Sequence, residues 1–122
     1  MMLLGETRVT NGLKAMKLTC SKMGAVSVIK VEDQMDAQSG SEFEKACGSL
    51  IPAGEKVVAD FTALTFISSA GLRSVLSVGK RLKQAGGMLS LCGLHGAAKS
   101  AFDTTGLTAV FPVFDSAEAA AK

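Results

Sequence analysis

The stretch that decides the fold is KVVADFTALTFISSAGLRSVLSVGKRL, residues 56–82. It opens with the β-prone run KVVADF, which is typical of a buried strand. From Ala70 the apolar residues recur at helical spacing, and the helix pattern has one apolar and one basic face. Two serines, Ser68 and Ser69, stand where the strand-like part gives way to the helix. The segment therefore predicts a strand, a short turn with an apolar Phe66-Ile67 lead-in, and a helix whose N-terminus lies at the serines.

The residues before this stretch predict a hairpin and a helix. MKLTCSKMGAVSVIKVED contains two extended runs separated by residues 22–24, which is a hairpin pattern. DAQSGSEFEKACGSLIPAG then has apolar side chains at i, i+3, i+4 and i+7, which indicates a helix. Its candidate caps and stop signals are Asp36, Ser39 and Ser41 at the start and Pro52 with Gly54 at the end.

The residues after it continue to alternate between strand and helix patterns. MLSLCGL predicts a strand, and GAAKSAFDTTGL predicts a helix closed by Gly106. TAVFPVF predicts a short strand, and Pro112 favours a place at the sheet edge because proline has no N–H to donate. DSAEAAAK predicts a last helix capped by Asp115 or Ser116.

The predicted order is ββαβαβαβα, which indicates an α/β fold. Strand–helix–strand alternation implies right-handed crossovers and a mixed, mainly parallel sheet, here of about four to five strands flanked by about four helices. Residues 1–15 show no sustained period, so we expect an N-terminal extension that is loose or adds an edge strand. Residues 16–122 are expected to form one domain.

Composition excludes several classes of function. The 122 residues carry a net charge of +2 with scattered basic side chains, and there is no Trp or Tyr. This argues against nucleic-acid binding, which needs a basic cluster and stacking aromatics. No apolar run approaches the ~20 residues of a membrane span, and the start is too short for a signal-peptide core. We therefore expect a cytoplasmic protein with no membrane partner.

The sequence also argues against a metal site or an enzyme. The three cysteines lack CxxC spacing and His95 is the one histidine, so we expect reduced thiols and no metal. FISSAGL is not a G-x-S-x-G nucleophile elbow, and Gly86-Gly87 does not begin a phosphate-binding loop. A hydrolase using Ser69 and His95 is the least favoured alternative, and no cofactor is expected.

Physical chemistry allows two interpretations of the two serines, as a helix cap or as a site of phosphorylation. Either hydroxyl can cap the helix by accepting a hydrogen bond from an unpaired backbone N–H. The same helix N-terminus would also tolerate a phosphoryl group, because its N–H groups and partial positive charge favour anions. Such a modification would change the surface charge by nearly two units without requiring the domain to unfold. The residues alone leave both readings open.

Four segments in order resemble one family. These are MDAQSGSEFEKAC, VVADFTALTFISSAGLR, RLKQAGGMLSLCGL and AKSAFDTTGLTAVFPVFDSAEAA, which together span most of residues 17–120. They resemble the STAS domain of bacterial anti-sigma factor antagonists. The resemblance implies a protein-binding switch that, when unphosphorylated, binds an anti-sigma factor with serine kinase activity and so releases a sigma factor.

The resemblance also implies which residues carry the switch. The serine that the kinase phosphorylates, and that a PP2C-type phosphatase restores, matches Ser69, with Ser68 as a second candidate at a position where many members carry Asp. The implied partner surface comprises Asp33, Asp36, Ser68, Ser69, Ala70, Gly71, Leu72 and Arg73. The kinase would supply ATP and magnesium, and we expect the chain to be a monomer or weak dimer. The alternative is a STAS scaffold that is not phosphorylated, within a transport or signalling assembly.

Overall fold

The structure is a computed structural model and describes residues 7–9, 17–50 and 54–121. The strands are β1 Thr7–Val9, β2 Lys17–Met23, β3 Val26–Met35, β4 Lys56–Asp60, β5 Leu64–Ile67, β6 Met88–Cys92 and β7 Val113–Phe114. The α-helices are α1 Ala37–Leu50, α2 Ser69–Gln84, α3 Gly96–Thr104 and α4 Ala117–Ala121, and a 3-10 turn covers Leu107–Ala109.

The strands form a mixed sheet with β3 near its centre. The order along the sheet is β1-β2-β3-β4-β6-β7, and β5 pairs with β3 outside this path. β2 is antiparallel to both β1 and β3, whereas the β3–β4, β4–β6, β6–β7 and β3–β5 pairs are parallel. The predicted α/β class and mainly parallel sheet are confirmed, and β7 lies at the edge as Pro112 predicted.

The element order agrees with ββαβαβαβα once β1 and β5 are set aside. The segment containing Phe66 and Ile67 was predicted as a lead-in but is the strand β5, because four residues are too few to show a clear period. The first hairpin turns at Gly24 and Ala25 rather than over residues 22–24, since Gly24 adopts the left-handed φ of 65° that this turn needs. The predicted stop at Pro52 lies outside the described residues.

Helices cover the two faces of the sheet unequally. The main core lies under α1, α2 and α3 and contains the fully buried rings of Phe43, Phe61 and Phe102. The opposite face has a smaller core in which Val26, Val28, Val58 and Cys92 pack against α4. Cys20, Cys47 and Cys92 are all buried with free thiols, as expected for small apolar side chains in a core.

Candidate functional site

The strand β5 brings the two serines beside the end of β3. Met35 of β3 pairs with Ile67 of β5, and the Ser68 N–H donates to the Met35 carbonyl at 2.9 Å. The next residues along the two chain segments begin α1 and α2. The first turns of α1 and α2 are therefore neighbours at one end of the sheet.

A β-bulge at Asp33 sets this alignment. The β3–β5 register shifts between Asp33 and Gln34, and Asp33 has a φ of 68°, which aspartate tolerates better than most residues. The Asp33 N–H donates to the Ala63 carbonyl at 3.1 Å, and the Thr65 hydroxyl donates to the Asp33 carbonyl at 2.8 Å. These bonds hold the exposed Asp33 side chain next to the start of β5.

The two serines have different structural roles. Ser68 is the N-cap of α2: its backbone is extended and its Oγ accepts from the Gly71 N–H at 3.1 Å. Ser69 is the first residue of the helix and is exposed. The side-chain hydrogen bonds of the described residues include none from Ser69. The cap predicted at one of the serines is thus Ser68, and the Ser69 hydroxyl faces solvent.

Gly71 allows this end of α2 to approach the sheet closely. A Cβ at this position would lie 2.5 Å from the Met35 carbonyl oxygen and 2.8 Å from Ile67 Cγ1. Neither atom is the free end of a flexible chain, so a side chain here would push α2 away from β3. The glycine in SSAGL therefore sets the position of both serines relative to β3.

Asp36 places a carboxylate at the start of α1. Its Oδ1 accepts from the Ser39 N–H at 3.0 Å and from the Ser39 hydroxyl at 2.9 Å. These hydrogen bonds from Ser39 hold the pKa of the Asp36 carboxyl below its ordinary value. The side chain is exposed, so Asp36 both caps α1 and presents a lasting negative charge beside the start of α2.

The other predicted partner residues differ in their access to solvent. Ala70 is half-buried and Arg73 is exposed, whereas Gly71 and Leu72 are buried. The described surface near the serines thus consists of exposed atoms from Asp33, Asp36, Ser69 and Arg73, with part of Ser68 and Ala70.

Phe66 is a surface residue that the sequence pattern did not identify. It lies two residues before Ser68 in β5, and 46% of it is exposed. Apolar residues next to a strand pattern are ordinarily expected in the core. In the strand LTFI, Leu64 and Ile67 are buried and the two residues between them are exposed. This position between two buried residues is the one feature of the sequence that accounts for the exposure of Phe66. An exposed aromatic ring in the strand that leads into the serines is suited to protein contact.

His95 lies at the start of α3 and holds a neighbouring loop. Its Nε2 donates to the Thr62 carbonyl at 2.7 Å, because a carbonyl oxygen can only accept. No hydrogen bond within the described part of the chain joins His95 to Ser68 or Ser69. The hydrogen bond that His95 Nε2 makes within the described residues thus ties α3 to the loop at Thr62.

In residues 7–9, 17–50 and 54–121, no group of three or more histidine, cysteine, aspartate or glutamate side chains is arranged to hold a metal ion. No helix within those same ranges has the length and apolar character needed to cross a membrane.

Comparison with known proteins identifies the family. The sequence model of the STAS domain family matches residues 18–120 of the chain. A Bordetella bronchiseptica protein provisionally named anti-sigma factor antagonist BtrV is 37% identical over 107 residues, which cover 87% of this chain and 92% of that protein.

Solved structures show the same fold. A Mycobacterium paratuberculosis anti-sigma factor antagonist superimposes with a TM-score of 0.77 at 22% identity, covering 87% of this chain and 91% of that one. The anti-sigma factor antagonist SpoIIAA in its unphosphorylated form superimposes with a TM-score of 0.72 at 18% identity, covering 85% and 91%. The chain therefore belongs to the STAS domain family, within its group of anti-sigma factor antagonists.

Proposed function

We propose that the chain binds an anti-sigma factor serine kinase through the surface around Ser69, and that phosphorylation of Ser69 ends this binding. In the unphosphorylated form it would hold the kinase and release a sigma factor. The observation that carries the proposal is the exposed Ser69 hydroxyl on the first residue of α2, next to a serine already used as the cap. The chain is then a substrate of the kinase, and a PP2C-type phosphatase reverses the modification.

The start of α2 is suited to receive a phosphoryl group. The first turn of α2 contains no acidic residue, so its partial positive charge and unpaired N–H groups are available to an anion. Ser68 satisfies only the Gly71 N–H among them. A phosphate on Ser69 would therefore be accepted by the folded domain, with a charge of about −1.5 to −2 at neutral pH.

The surroundings explain why this charge would weaken binding. Asp36 already provides one carboxylate at this surface, and Phe66 of β5, the strand that leads into Ser68, exposes an apolar ring. A second, larger negative charge next to Asp36 would change a mixed apolar and acidic surface into a strongly anionic one. A partner that fits the unphosphorylated surface would have to strip water from the added charge or place its own groups against it. Either outcome would lower the affinity of the complex.

Calorimetric titration of the purified cognate kinase with Ser69 variants tests the proposal. Ser69→Ala keeps a neutral surface and should bind within about twofold of wild type, whereas Ser69→Asp should bind at least about tenfold more weakly. Ser100→Asp, at an exposed position on α3, controls for a charge placed elsewhere. Equal affinities for Ser69→Asp and wild type would contradict the switch. Failure of all variants to bind, with capture of a transporter component instead, would favour the scaffold alternative.

A further inference from the structure

A second surface lies at the opposite end of α2. A groove of about 490 Å³ separates the C-terminal half of α2 from the start of β6 and the segment that precedes β7. Its floor is well packed: Leu89 and Phe111 are buried, and the Phe111 ring occupies the space that a side chain at residue 79 would need. Gly79 therefore lets the ring form a firm apolar base for the groove.

The rim of the groove exposes large apolar side chains. Met88 is 39% exposed and Val110 is 58% exposed, and both line the groove. Val113 of β7 is 41% exposed but lines a different pocket, beside Thr62 and Asp115. The described residues contain one other exposed large hydrophobic side chain, Phe66 of β5. Two of these four exposed side chains, Met88 and Val110, thus share one groove, which is typical of an interaction site.

The charges at this groove all have one sign. The ionisable side chains that line it are Lys80 and Lys83, and Arg81 extends the basic face of this half of α2. Arg81 pairs with Glu44 at 3.7 Å, whereas the ion pairs of the described residues include neither lysine. Lys83 lies in the last turn of α2, where its charge interacts favourably with the helix dipole. Lys80 lies before that turn, so the dipole does not account for its charge.

We propose that this groove docks an acidic amphipathic segment of a partner protein. Apolar side chains of the segment would cover Met88 and Val110 above the Phe111 floor, and its carboxylates would pair with Lys80 and Lys83. We infer this kind of partner from complementarity: its apolar face would match the exposed apolar rim of the groove, and its carboxylates would match the two lysines. From residue 69 to residue 80 the helix rises about 16 Å, so this surface is separate from the one around Ser69 and does not depend on its phosphorylation.

Two synthetic peptides test the chemistry of the proposed partner. One has leucines at i, i+3, i+4 and i+7 with glutamates elsewhere, and the other has the same leucines with lysines. Titration of the labelled peptides with the full chain should show binding of the glutamate peptide, weakened by salt, and at least about tenfold weaker binding of the lysine peptide. Equal binding of the two, or binding of neither, would overturn the proposal.

Variants of the chain test whether the peptide binds at this groove, and whether a second copy of the chain occupies it instead. Val110→Asp and Lys80→Glu should each weaken binding of the glutamate peptide about tenfold, whereas Lys45→Glu, an exposed position on α1, should leave it within about twofold. Ser69→Asp should also have no effect. Amide shifts in nuclear magnetic resonance spectra that cluster at Ser69 rather than Met88 would overturn the assignment. So would self-association of the chain in sedimentation that Val110→Asp abolishes, since the occupant would then be a second copy.

Discussion

The first turns of α1 and α2 lie side by side, but different chemistry caps them. At α1 the cap is the carboxylate of Asp36, which accepts from two donors of Ser39. At α2 the cap is the neutral hydroxyl of Ser68, which accepts one hydrogen bond from Gly71. The negative charge that a helix N-terminus favours is therefore already present at α1 and absent at α2.

This difference shows where a charge can be added to the domain. At α1 the charge is present at neutral pH and is held by hydrogen bonds. At α2 Ser68 satisfies only the Gly71 N–H, and the exposed hydroxyl of Ser69 lies in the same first turn. Both helix starts are held by the same β3–β5 pairing. We therefore expect a group added at Ser69 to change the charge of the surface without moving this framework.

The largest expected effect concerns the glycines of the two helices. Gly71→Ala on α2 should lower the free energy of unfolding by about 1–3 kcal/mol, because its Cβ would meet the Met35 carbonyl oxygen. Gly48→Ala on α1 is the matched control: no atom lies within 4 Å of its Cβ, so alanine should raise stability by about 0.5–1 kcal/mol. Urea denaturation measures both. Similar changes in the two variants would contradict the close approach of α2 to β3.

A smaller effect separates the two serines. Ser68→Ala removes the cap of α2 and should lower the free energy of unfolding by about 1 kcal/mol. Ser69→Ala removes an exposed hydroxyl and should change it by less than about 0.5 kcal/mol. Guanidinium denaturation of the two single variants gives the comparison. A larger loss from Ser69→Ala would mean that Ser69, not Ser68, caps the helix.

The smallest effect is the acid dependence of the α1 cap. The pKa of Asp36 is lower in the folded protein than its ordinary value of 3.8, so its contribution is present above that value and is lost as pH falls through the lower, folded pKa. Asp36→Asn should therefore flatten the fall in stability over that acid range while leaving the Ser68 cap unaffected. Thermal unfolding of wild type and variant from pH 6 to pH 2 measures this slope. Parallel curves would contradict a hydrogen-bonded carboxylate at Asp36.

Much of this arrangement could be predicted from the sequence. The periodicity of the apolar residues gave the element order, and the SSAGL segment marked the start of α2. The choice between Ser68 and Ser69 as cap depended on where α2 begins, which the hydrogen bond from Ser68 to the Met35 carbonyl fixes. That contact joins residues far apart in the chain, so no local pattern contains it. The exposure of Phe66 and of the groove residues Met88 and Val110 depends on tertiary packing in the same way.

The site of phosphorylation tests the central claim most directly. The full chain is incubated with its purified cognate kinase, ATP and magnesium, and the modified residue is located by mass spectrometry of peptides. Phosphate should appear on Ser69 in wild type and in Ser68→Ala, and should be absent from Ser69→Ala. Phosphate on Ser68, on another residue, or on none would contradict the assignment of Ser69 as the switch.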